Sequence, residues 1–154
     1  MSFRLIVPLT LALCFSAQVL AFGNHETWTS GFAQGTAEYT ILGKGQSQLY
    51  LACDSSGSQA VTIIFTDANG HQVSMDSGQT LTMKIDDTEE VDISESESHV
   101  GSDNVTWAWN KLRSGKSVIL SGTGEKPTAF TLKGAGVVIP EFGDNGCVSK
   151  LVLP

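Results

Sequence analysis

The sequence predicts an all-β domain, mainly antiparallel, built as a small sandwich or barrel of about eight or nine strands with one short helix. Three observations predict it. Short runs rich in Val, Ile, Thr and Tyr recur at close spacing. Glycines, 16 in all, punctuate those runs. Helical signals gather in one place only, and no internal repeat or linker divides the chain after its first residues.

The elements follow in order. Ala37–Leu42, "AEYTIL", passes through Gly43-Lys44-Gly45 into Gln46–Cys53, "QSQLYLAC". The cluster "DSSGSQ" turns the chain into Ala60–Phe65, "AVTIIF". Asn69-Gly70 then predicts a hairpin, because both residues tolerate positive φ. "QVSM" and "TLTMKI" continue, and in the second Thr80, Thr82 and Lys84 alternate with Leu81, Met83 and Ile85. A period of two means one buried and one wet face.

The segment Asn104–Gly122 is mixed. Val105, Trp107 and Trp109 alternate as in a strand. Asp103 as a cap, Ala108 and Leu112 four apart, and Gly115 as a stop instead predict a short helix over Thr106–Arg113. "SVIL" resumes strand. Thr128–Pro140 reads as strand, a Gly134/Gly136 break, and a further apolar turn or strand. Cys147–Leu153, "CVSKLVL", reads as a closing strand.

The first residues have a separate fate. "MSFRLIVPLTLALCFSAQVLA" has a basic start at Arg4, an apolar run, and Val19-Leu20-Ala21 at its end. This is the pattern of a secretory signal peptide over residues 1–21. The apolar run is short of the ~20 residues that a spanning helix needs. The expected organisation is leader 1–21, a loosely ordered aromatic arm 22–36, and one β-rich domain 37–154. The expected location is the periplasm or the exterior, with no stable membrane insertion once the leader is gone.

Export changes how the cysteines read. Cys14 leaves with the leader, and Cys53 and Cys147 remain as an even pair. In an oxidising compartment such a pair predicts one disulfide. Neither cysteine has histidine or a second cysteine at metal-ligand spacing.

Charge is the other informative feature. The formal net charge is −7, and −8 without Arg4. Nucleic acid and anionic lipid are poor partners for such a chain, and a basic protein surface suits it. Asp86–Asp103, "DDTEEVDISESESHVGSD", contains half of the acidic residues and no lysine or arginine. Its first twelve residues, "DDTEEVDISESE", lack the glycine of an EF-hand loop. Its carboxylates are too crowded with charge for a buried acid–base pair. Two readings remain: a solvated loop or edge strand, or an anionic docking surface. Extended, "VDISESESHV" would put Val91, Ile93, Glu95, Glu97 and His99 on one face. Val91 and Ile93 would anchor it while Glu95 and Glu97 project to a cationic partner. Trp107 and Trp109 are either core residues or, beside that ridge, a recognition patch.

No nucleophile elbow, phosphate-binding loop or converging acid, base and nucleophile occurs. The expectation is a non-enzymatic protein without cofactor or metal. The candidate partner-binding residues are Glu95, Glu97, His99, Trp107 and Trp109. The sequon Asn104-Val105-Thr106 matters only where N-glycosylation occurs.

Taken together, "LYLACD", "VTIIF", "GHQVSM", "MKID", "WNKLRSGKSVIL", "FTLKG" and the last cysteine, spread over Leu49–Cys147, resemble type VI secretion-associated periplasmic accessory proteins. That resemblance implies a non-enzymatic envelope role in assembling a secretion apparatus. "YLACD" (Tyr50–Asp54) and "VTWAWNK" (Val105–Lys111) are also similar to the periplasmic inhibitors of c-type lysozyme. Those are β-barrels that insert a serine-glycine-x-x-tyrosine loop into the enzyme's cleft. "SESESHVGSD" departs from that order, so the inhibitory residues do not carry over. The implied alternative function is an acidic inhibitor of a cationic hydrolase.

Overall fold

A computed structural model describes residues 22–154. The expected leader, residues 1–21 with Cys14, lies outside them. The described chain is mainly β. It forms strands β1 (Thr29–Ala33), β2 (Thr36–Leu42), β3 (Gln48–Asp54), β4 (Thr62–Thr66), β5 (Gln72–Ser74), β6 (Leu81–Ile85), β7 (Val91–Asp92), β8 (Ser117–Gly122) and β9 (Thr128–Thr131). Helix α1 (His99–Ser114) lies between β7 and β8, and the short α2 (Ala135–Val138) follows β9.

The strands make two antiparallel sheets. The first has the order β1-β2-β3-β4-β5, a meander in which each strand pairs with its chain neighbours. The second has the order β7-β6-β8-β9, so β6 and β8 pair across the inserted β7 and α1. Alternation explains the first sheet. Ile41, Leu49, Phe65 and Val73 stand in register across four strands, and all are fully buried. Tyr39, Leu51 and Ile63 form the next row. In the second sheet Met83 pairs with Leu120, and Ile85, Val118 and Phe130 form a row. Both inner faces join one core, where Phe65 and Phe130 meet edge to face at 6.2 Å. Each such side chain stabilises the fold by roughly 1.5–3 kcal/mol through burial.

Cys53 and Cys147 are bonded across a sequence separation of 94 residues. The bridge ties β3 to the C-terminal segment. Gly146 sits beside it with φ +77°, and a Cβ there would lie 1.8 Å from the Asp54 carbonyl oxygen, so only glycine fits.

Several expectations change. The loose arm over 22–36 is replaced: Thr29–Ala33 is a full strand of the first sheet and Trp28 is buried. Its hairpin turns on Gln34 and Gly35, at φ +51° and +83°. That is a two-residue turn with both residues left-handed. Asn69-Gly70 does turn the chain, but only Gly70 takes positive φ. The Asp67 carboxylate holds that loop instead, accepting from Asn69 N and His71 N. The strand expected over Cys147–Leu153 does not form. Lys150–Val152 is a 3-10 turn whose Leu151 N donates to Ser96 O, and residues 135–138 are helical.

The helix starts seven residues before the expected Thr106. Ser98, not Asp103, is its cap, accepting from Gly101 N at 3.0 Å. Gly115 ends it as expected. Gly101, Asn104, Val105 and Thr106 are poor helix formers, so local propensity hides this first half. Tertiary contacts hold it: Ser102 Oγ donates to Ser149 Oγ at 2.8 Å in the interior.

Candidate functional site

The acidic segment is built into the protein at closely spaced points. Its first residue, Asp86, sits at φ +49° just after β6. The Asp86 carboxylate reaches across to the chain after α1 and accepts from Ser117 N at 2.9 Å and Lys116 N at 3.1 Å. Those bonds, Ser117's foremost, hold its pKa below the ordinary aspartate range. Thr88 Oγ1 closes the turn onto Ile85 O.

After the two residues of β7 the backbone bends. The extended ridge predicted for Val91–His99 therefore does not form. Ile93 points into the core, fully buried, as alternation predicts, and Val91 is half-buried against it. Asp92 accepts from Ser94 N. Ser96 is fully buried and serves as a junction. Its N–H donates to Asp76 Oδ1 at 3.2 Å, its hydroxyl accepts from Lys150 N at 3.0 Å, and its carbonyl accepts from Leu151 N at 2.9 Å. The segment is thus stitched to the β5–β6 connection and to the C-terminal tail.

The structure sorts the five candidate binding residues into two groups. Glu95 folds back over the start of α1 and accepts from Glu97 N at 2.6 Å, Ser98 N at 2.8 Å and Ser98 Oγ at 2.6 Å. The Ser98 hydroxyl is the main cause of its lowered pKa. A Cβ on Gly101 would stand 2.0 Å from Glu95 Oε1, so that glycine makes room for the carboxylate. Trp109 is fully buried. It donates Nε1–H to Pro140 O at 2.9 Å and packs edge-on against Tyr39 and Phe142. Both residues serve the fold.

Glu97, His99 and Trp107 remain at the surface. Glu97 pairs with Lys150 Nζ at 3.1 Å, an exposed contact that raises the lysine's pKa. His99, Val100, Asp103, Trp107, Asn110 and Lys111 occupy the outward side of α1. At 3.6 residues per turn they fall within about 120° of one another. Val100 is 71% exposed and Trp107 36%, and the Lys111 ammonium lies 6.0 Å from the Trp107 ring centre. Next to this side, Asp76, Asp92, Glu95, Glu97 and Lys150 border a shallow depression of about 380 Å³.

The chemistry of this region is that of a fixed anionic surface. Asp86 and Glu95, which accept backbone N–H bonds, are held ionised, the reverse of what a general acid needs. Among the described residues, no group of three or more His, Cys, Asp or Glu is placed to hold a metal ion. Asn104, the sequon asparagine, lies inside α1 with its amide donating to Asp92 O at 3.0 Å. Sequence reasoning missed Asp76, Ser96 and Lys150. Their partners are 20 and 54 residues away, so no local pattern marks them.

A family model described as YfjT matches residues 26–139, and the chain belongs to the YfjT family. The match takes in both sheets, the acidic segment and α1, and stops before Cys147 and Lys150. No curated protein and no solved structure matches the chain.

Proposed function

We propose that the protein is an exported, periplasmic or secreted, non-enzymatic binding protein whose partner is a cationic protein of the cell envelope. The docking surface is the acidic segment together with the outward side of α1, with Glu97, His99 and Trp107 at its centre. One observation carries this reading: the most acidic stretch of the chain is anchored by the buried Ile93 and Ser96, while Glu89, Glu90, Asp92 and Glu97 stay exposed. A surface already ordered has little conformational freedom left to lose on binding. Its charge also steers a cationic partner and fixes register. The Cys53–Cys147 bridge supports export, because such bonds persist in oxidising compartments. No described helix is long and apolar enough to cross a membrane. The resemblance to secretion-associated accessory proteins makes an assembly role in the envelope the working assignment.

The test is photo-crosslinking in intact cells from a photoreactive residue at Trp107, with Ile119 on the second sheet as the control site. A discrete, salt-sensitive adduct is expected from position 107 only. Glu89→Lys, Glu90→Lys and Glu97→Lys combined should abolish it. The same adducts from both sites, or none changed by charge reversal, would refute the proposal.

A second reading, inhibition of a cationic hydrolase such as lysozyme, is favoured by the same concentration of fixed charge. Lysozyme assays at low and high salt separate it from the first. Inhibition lost at high salt supports it, and no inhibition of any lysozyme class ends it.

A further inference from the structure

The two sheets have four edge strands, and three are protected. β7 is two residues long, its Asp92 carbonyl accepts from Asn104, and it lies in the acidic segment. β5 has three residues. β9 is capped by Trp28, whose Nε1–H donates to Thr131 O at 2.9 Å. β1 has α2 packed against it, but its Ser30 and Phe32 backbone groups have no partner among the described residues. It runs five residues, Thr29–Ala33, pairs with β2 at five consecutive positions without a bulge, and has no charge and no proline. Native proteins usually blunt such an edge by one of those means.

The open groups can be named. The two-residue turn at Gln34-Gly35 makes Ala33 and Thr36 a hydrogen-bonded pair, so Thr29, Gly31 and Ala33 point their backbone groups at β2. Ser30 and Phe32 point theirs outward, and no described residue bonds them. The row is bounded at one end by Trp28 N, held by Lys133 O at 3.0 Å, and at the other by the turn. Phe32 is 68% exposed, and Val137, on the α2 helix that packs against β1, is 88% exposed.

We propose that β1 is the seat of a two-fold symmetric dimer, in which β1 strands from two copies pair antiparallel about Gly31 and join the five-stranded sheets edge to edge. In this register Ser30 of each copy exchanges two hydrogen bonds with Phe32 of the other, and all four open groups of each strand find partners. A register centred on Ser30 would need Trp28 N, which is already engaged. One centred on Phe32 would run into the turn. Gly31 at the axis has no side chain. The Phe22 ring, 40% exposed, lies 3.0 Å from where its Cβ would be, so two such rings face each other across the axis. Each Glu38 carboxylate, on the strand beside β1, accepts from the Tyr50 hydroxyl at 2.6 Å. In the dimer the two β2 strands lie three strand spacings apart, roughly 14 Å.

Sedimentation equilibrium on the disulfide-bonded protein from low to high micromolar concentration, combined with amide exchange, tests this. A monomer–dimer equilibrium is expected, with Ser30 and Phe32 amide exchange slowing as concentration rises and Gly31 exchange unchanged. Ser30→Pro removes an outward N–H and no bond to β2. Phe32→Lys sets a charge beside the dimer seam and serves if the proline variant fails to fold. Either should weaken dimerisation roughly tenfold or more. A monomer at every concentration, concentration-independent exchange at Ser30 and Phe32, or a dimer indifferent to both substitutions would overturn the proposal. So would occupation of this edge by a different protein while the chain itself stays monomeric.

Discussion

The five-stranded sheet and the acidic segment Asp86–Asp103 are held by opposite means. The sheet rests on rows of buried apolar side chains in register, such as Ile41, Leu49, Phe65 and Val73, joined by short hairpins. The segment has one fully buried apolar anchor, Ile93, and otherwise depends on hydrogen bonds with distant residues: Asp86 and Ser96 side chains accept from the Ser117 and Lys150 N–H groups, and Ser96 N–H donates to Asp76. Apolar packing is non-directional and tolerates small shifts. A hydrogen-bonded junction such as Ser96 fails if one partner is lost, because the others are left buried and unsatisfied. The core of the sheet should therefore respond to changes in volume, and the segment to changes in polarity.

The largest effect should come from the sheet. Phe65→Ala removes a ring that touches both sheets, and should destabilise the fold by about 3–5 kcal/mol in urea denaturation, with loss of structure throughout. Ser96→Ala should cost about 1–3 kcal/mol. Its signature should differ, with hydrogen exchange accelerated first at Lys150 and Leu151. An equally global response to both substitutions would erase the contrast. Gly101→Ala forces Glu95 off the helix start, and should cost about 1–2 kcal/mol, the range of a lost cap. Its amide signals should shift at Glu97 and Ser98 rather than in the sheet.

Acid should weaken the hydrogen bonds that hold the segment. Glu95 and Asp86 have folded pKa values below their ordinary ones. Their contribution to stability is complete above the unfolded carboxylate pKa and is lost as pH falls through the folded values. Thermal melts should fall below about pH 4.5, and Glu95→Gln should flatten part of that slope. A slope unchanged in the variant would show that the Glu95 cap contributes nothing. Smallest of all, Glu97→Gln should change stability by no more than about 0.5 kcal/mol, since its pair with Lys150 is exposed. A loss of partner binding in that same variant would assign Glu97 to recognition alone.

The same contrast explains what could be read in advance. β2, β3, β4 and β6 lie within about two residues of their expected spans, because a half-buried strand writes its two faces into alternate positions. Val91 and Ile93 turn inward as that rule predicts. Past them the rule stops applying. Glu95 and Glu97 continue the alternation on paper, but Asp76, Ser96 and the tail at Lys150 bend the backbone, and Glu95 becomes a helix cap. Trp107 and Trp109 show the same limit. Two positions apart, they read as one face of a strand, whereas on α1 they point to opposite surroundings, one wet and one in the core.

Strand periodicity, turn chemistry and the even pair of cysteines in the described chain determined the fold class, most strand positions and the Cys53–Cys147 bridge, because each depends on near neighbours or on counting. Tertiary structure alone decided the early start of α1, the recruitment of Thr29–Ala33 into the sheet, and the division of five candidate residues into two that hold the fold and three that face solvent. Those outcomes rest on hydrogen bonds and burial between residues far apart in the chain, and no local pattern encodes which distant partner arrives.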